Sequence, residues 1–69
     1  MIIMYATDNC PKCNILKQRF NENKIEFMIN TDTKFMRQQL GIMSVPYIQK
    51  DGRLYDFSTA MKMLGGRKI

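Results

Sequence analysis

The sequence predicts an α/β fold, a mixed four-stranded sheet flanked by three helices in the order β-α-β-α-β-β-α. Three observations carry this expectation. A continuous apolar run of strand length, Ile2 to Ala6, leads directly into a stretch with helical spacing. A second apolar run, Ile25 to Ile29, returns after that stretch, so the two strands are expected to lie parallel with a right-handed crossover. Finally, Lys50-Asp51-Gly52 separates two short strand candidates, and Asp-Gly is a strong hairpin signal.

Each element has its own local reason. The first helix is expected over "PKCNILKQRFNEN": Pro11 suits the first helical position, and Cys13, Leu16 and Phe20 fall on one face at i, i+3 and i+7. Asn23-Lys24 ends it. In "NTDTKFMRQQLG" a threonine or aspartate supplies the N-cap, Phe35, Met36 and Leu40 form the buried face, and Gly41 stops the helix. "VPYIQ" and "RLYDF" are the hairpin strands. "STAMKMLGG" is the last helix, with Asp56 or Ser58 as cap, Met61 and Leu64 inward and Gly65 as C-cap.

The 69 residues support one domain, 1–69, with a modest core, since a chain of this size buries only about 60% of its unfolded surface. Hydrophobic residues make up 45% and charged residues 25%, an ordinary globular composition. No apolar run is long enough to cross a membrane. The N-terminal segment lacks the positive n-region of a signal peptide, so the expected compartment is the cytoplasm. The net charge of +5 is scattered, with its densest cluster at Arg67-Lys68. That pattern fits a solvated surface mildly favouring acidic partners, not a nucleic-acid-binding stripe. A monomer is expected.

The chemistry concentrates in "CPKC", which holds both cysteines of the chain, Cys10 and Cys13. A disulfide closing so small a loop constrains little of the unfolded chain, so stabilisation is a poor reason for the pair. In a cytosolic protein such spacing is more often catalytic or metal-binding. The chain has no histidine, which excludes Cys-His nucleophile pairs and mixed Cys/His zinc sites. Two thiolates cannot close a tetrahedral zinc site, so a metal or iron–sulfur centre would need two chains. Redox chemistry is the better reading. Cys10 falls at the N-cap of the first helix, where unpaired N–H groups and the helix dipole favour a thiolate. Pro11 shapes the turn, and the charge of Lys12 adds to the same bias. Cys13, one turn in, is expected to be less exposed and to resolve the mixed disulfide that Cys10 forms.

A strand followed by Cys-Pro-x-Cys, then Gly41-x-x-Ser44-Val45-Pro46 and a glycine-containing hairpin, resembles glutaredoxin and its small relatives, which have the thioredoxin fold. The resemblance covers nearly the whole chain. It implies a dithiol–disulfide oxidoreductase with a redox-active Cys10–Cys13 disulfide and no bound cofactor. It also implies a cis Pro46 facing Cys10, and a substrate chain held along Ser44, Val45 and Pro46 like a short added strand. Glutaredoxins typically hold glutathione with a Gly-Gly pair and a capping acidic or hydroxyl residue before the last helix. Tyr55-Asp56 stands in that place here, with Ser58 and Thr59 offering hydroxyls, and Asp8 replaces a basic residue before the first cysteine. These departures disfavour the twice-carboxylated glutathione.

The chain is therefore similar to the NrdH-type redoxins, or to short phage glutaredoxins. The first similarity implies a protein disulfide such as that of ribonucleotide reductase as substrate, and thioredoxin reductase as electron source. Glutathione is the alternative source. Asp56 and Ser58 join Ser44, Val45 and Pro46 as expected substrate contacts. Of the seven methionines, Met4, Met28, Met36 and Met61 are expected in the core. Met63 lies off the inward face, and Met43 is expected to line the substrate groove. Tyr5 is expected to serve packing, whereas the sequence leaves the direction of Tyr47 open.

Overall fold

Strand β1 (Ile2–Tyr5) occupies an interior position because it finds partners on both sides. It runs parallel to β2 (Met28–Asn30), with Ile3 opposite Met28, and antiparallel to β3 (Tyr47–Lys50), with Met4 opposite Ile48. Strand β4 (Arg53–Asp56) closes the other edge, giving the order β2-β1-β3-β4. Three helices complete the described residues: α1 (Pro11–Glu22), α2 (Thr33–Leu40) and α3 (Phe57–Gly65). This computed structural model describes residues 1–66, so Arg67-Lys68 lies outside the described residues.

The continuous apolar character of β1 follows from helices on both of its faces. Ile2, Met4 and Ala6 point into one core layer with Leu16 and Phe20 of α1, Ile48, and Ala60 and Leu64 of α3. Tyr5 points the other way, into a smaller layer with Met36 of α2 and Ile42. Leu16 and Phe20 are fully buried, each worth roughly 1.5–3 kcal/mol of transfer free energy. Tyr47 lies directly opposite Tyr5 and packs half-buried into the α2 layer, which fixes its direction. Tyr5 is buried, stacks on Phe35 and donates its hydroxyl hydrogen to Gln49 Oε1 at 2.7 Å, so it serves packing as expected.

The turns follow their residues. Asp51 and Gly52 both have positive φ, 53° and 80°, the pairing a type I′ hairpin requires. Gly41 ends α2 at φ 69°.

Several expectations need correction. The second strand is not Ile25 to Ile29 but Met28–Asn30. The reason is the end of α1: the Ile25 N–H reaches back to the Phe20 carbonyl and the Lys24 N–H to that of Asn21, with Lys24 at φ 56°. That six-to-one closure holds Ile25 to the helix end. Phe27 then packs edge-on against Phe20, with ring centroids 5.2 Å apart. Because β2 is an edge strand, Met28 is 57% exposed and is not a core residue. Phe35 is also exposed, lying over Tyr5 at the rim, so Met36 is the fully buried residue of α2. In α3 the helix runs through Gly65 and Gly66 is the C-cap, while Met63 is half-buried.

Candidate active site

The sheet register assembles one end of the molecule. Tyr5 faces Tyr47, so the residues that follow β1 and those that precede β3 emerge side by side. Tyr47 in turn faces Asp56, so α3 also begins at this end. Three segments distant in sequence therefore meet here: the Cys-Pro-Lys-Cys turn, the Ser44-Val45-Pro46 loop and the start of α3.

Cys10 is the N-cap of α1, in extended backbone geometry, with Pro11 in the first turn. The Cys10 carbonyl accepts the Asn14 N–H at 3.1 Å, opening the helical ladder. Its sulfur accepts the Cys13 N–H, also at 3.1 Å. That is the hydrogen bond a serine or aspartate cap would make, with sulfur in the role of oxygen. Cys10 and Cys13 are joined by a disulfide, with Cα atoms 5.1 Å apart. Cys13 is wholly buried among Leu16 and Phe20, and Cys10 retains 9% of its surface. Both sulfurs are thus sheltered, Cys10 less so. In the reduced state, the Cys13 N–H and the helix dipole would both favour a negative Cys10 sulfur over a neutral one.

The opposite wall is the 44–46 loop. The Val45–Pro46 peptide is cis, as the family resemblance implied, and Pro46 is buried. Cys10 Sγ lies 4.0 Å from the Val45 carbonyl oxygen, which places this stretch of backbone beside the disulfide. Ser44 and Met43 are exposed next to it, Met43 at 79%.

The third segment holds the other candidates. Asp56 is the N-cap of α3 and its Oδ1 accepts the Thr59 N–H at 2.8 Å. Hydrogen bonds from Thr59 hold the Asp56 carboxyl below its ordinary range. One Asp56 oxygen is therefore committed to capping. Ser58 is exposed on the first turn of the same helix. Lys12 projects across to this segment, its Nζ lying 5.7 Å from the centre of the Phe57 ring. Sequence reasoning missed Phe57. Its only signal was an aromatic residue directly after a capping aspartate, where a solvated residue is usual. The contact steers the Lys12 amine toward α3 while keeping its charge at the mouth of the site.

Among the described residues there is no group of three or more His, Cys, Asp or Glu arranged to hold a metal ion. Nor is any helix among them long and apolar enough to cross a membrane.

No protein-family model matches this chain, and no curated protein matches it. Among solved structures it is similar to the thioredoxin-like protein BC3987, determined as a point mutant. The TM-score is 0.77 at 21% identity, over 96% of both chains. The chain has the thioredoxin-like fold.

Proposed function

We propose that this chain is a dithiol–disulfide oxidoreductase that reduces disulfides of other proteins. The observation that carries the reading is the sulfur N-cap. Cys10 Sγ accepts the Cys13 N–H at 3.1 Å and stands 4.0 Å from the Val45 carbonyl, beside a cis proline. In the proposed cycle the Cys10 thiolate attacks one sulfur of the substrate disulfide. The substrate S–S bond breaks, its other sulfur leaves as a thiolate and takes a proton from water, and a mixed disulfide forms. Cys13 loses its proton to solvent and attacks Cys10 Sγ, releasing the second substrate thiol. Two electrons pass to the substrate, and the chain is left with the Cys10–Cys13 disulfide.

The site residues take roles in this reading. Pro11 and Lys12 bias the leading sulfur toward thiolate. Ser44, Val45 and Pro46 offer backbone to the substrate chain, and Asp56 and Ser58 border the far side. Asp8 in place of a basic residue before Cys10, and Tyr55-Asp56 in place of a Gly-Gly pair, support a protein reductase over glutathione as electron source. Thioredoxin reductase is then the donor, ribonucleotide reductase a fitting acceptor and the cytoplasm the fitting compartment.

The test offers the oxidised protein NADPH with either thioredoxin reductase or glutathione plus glutathione reductase, and follows NADPH loss. Turnover with thioredoxin reductase is expected to exceed that with glutathione. Turnover with glutathione alone would sink the choice of donor, and turnover with neither would sink the enzyme. With a protein disulfide substrate, Cys13→Ser should accumulate a mixed disulfide visible by mass, and unaltered turnover would refute the resolving role.

A further inference from the structure

We infer, resting on the redox reading above, that Lys12 selects the substrate. Set in place by the Phe57 ring, it favours disulfides whose attacked cysteine has an acidic residue one or two positions away. Lys12 is then a specificity residue for the same reaction, and Phe57 a positioning residue acting through it.

Phe57 opens α3, directly after the cap Asp56, which pairs with Tyr47 at the end of the molecule that holds Cys10. Its ring is half-buried against the layer that contains Cys10, Cys13, Leu16 and Ala60. Lys12 is exposed, and its Nζ stands 5.7 Å from the centre of that ring. The negative face of the ring holds one side of the ammonium and leaves the other side to solvent.

Among the described residues no carboxylate stands within ion-pair distance of Lys12. Two acidic residues border this end, Asp8 in the turn before Cys10 and Asp56 beside Phe57. Asp56 is already engaged. Its Oδ1 accepts the Thr59 N–H at 2.8 Å, and the charge of Lys62 on the same helix also stabilises its anion. Lys12 is thus left open to a carboxylate from outside the chain.

A bound substrate can bring one. In the mixed disulfide the substrate cysteine is bonded to Cys10 Sγ, two residues from Lys12 and beside the Val45 carbonyl. Successive Cα atoms are about 3.8 Å apart, so a side chain one or two positions from that cysteine lies within a lysine's reach. One cation meets one carboxylate, whereas glutathione brings two, so the preference is for an acidic stretch of protein. A free surface lysine loses side-chain entropy when it pairs, which is why exposed ion pairs contribute little. Phe57 lowers that cost, because the amine is placed before the substrate arrives.

The test mixes the reduced full chain with peptide disulfides of one composition, differing only in the place of a single aspartate. It lies either beside the cysteine or at the far end of the peptide. Net charge is then equal, and dividing each rate constant by that for dithiothreitol removes the aspartate's own effect on the disulfide. The peptide with the adjacent aspartate should react about two- to fivefold faster, the size of one exposed ion pair, and high salt should close the gap. Lys12→Met should abolish the preference and Lys12→Arg should keep it. Phe57→Leu, which retains an apolar side chain against the core, should reduce it. Equal rates in the parent chain, or a preference that survives Lys12→Met, overturns the proposal. A preference unmoved by Phe57→Leu overturns the role of Phe57. Reduction of neither peptide would sink the redox reading itself, and the specificity with it.

Discussion

Among the described residues, the three helix N-termini are built alike and differ in one atom type. At α2, Asp32 Oδ1 accepts the Phe35 N–H at 3.0 Å; at α3, Asp56 Oδ1 accepts the Thr59 N–H at 2.8 Å. At α1, Cys10 Sγ accepts the Cys13 N–H at 3.1 Å. In each case a side chain reaches the N–H three residues on, relieving one of the donors a helix start leaves unpaired. A carboxylate cap is charged at neutral pH and chemically inert. A sulfur cap can be an anion, a nucleophile or half of a disulfide, and the same helix end favours its charged form. One structural solution thus serves stability at two helices and chemistry at the third.

Exchanging the cap atoms is the sharpest way to break this comparison. Cys10→Ser keeps an oxygen cap of good propensity but removes the nucleophile. Disulfide exchange should vanish, while the melting temperature stays within a few degrees of the reduced parent. Residual exchange above the uncatalysed rate would show that Cys13 can lead. Asp32→Ala should do the reverse. It costs about 1 kcal/mol of stability, or roughly 4–8 °C in a domain of this size, and leaves the exchange rate unchanged.

A smaller effect concerns the cap of α3. The Asp56 carboxyl is held below 3.8 by its hydrogen bonds from Thr59, whose side chain contributes most. A folded-state value lowered from the unfolded one means that the charged form is the stabilised one. This contribution is fully present above the unfolded value and is lost as pH falls through the folded one. Melting temperature should therefore decline below about pH 4, and Asp56→Asn should flatten that decline. A decline identical in the variant would assign the acid sensitivity elsewhere.

What the sequence revealed follows the same division between local and distant causes. The N-cap place of Cys10, the stop at Gly41 and the Asp51-Gly52 turn are set by residues within a few positions, and each was legible. The faces of α1 were legible because Cys13, Leu16 and Phe20 all meet one layer. The edge at β2 was not. "IEFMI" carries the composition of a buried strand, yet Ile25 is hydrogen-bonded to the end of α1, Phe27 packs on Phe20 before the strand begins, and β2 is an edge with no outer neighbour to bury Met28. Phe35 misled for a related reason: α2 covers only part of the sheet, so one buried side chain satisfies it. The Lys12–Phe57 contact joins residues 45 positions apart in sequence, beyond any local pattern.

The central claim is that the α1 N-cap makes Cys10 the leading nucleophile. It is tested most directly by alkylating the fully reduced protein with iodoacetamide across pH and mapping the product by mass. Cys10 should react first, with an apparent pKa below the value of about 8.5 for a free cysteine, and Cys13 should stay protected until the fold is lost. Initial labelling at Cys13, or a Cys10 pKa at or above the free value, would contradict the account.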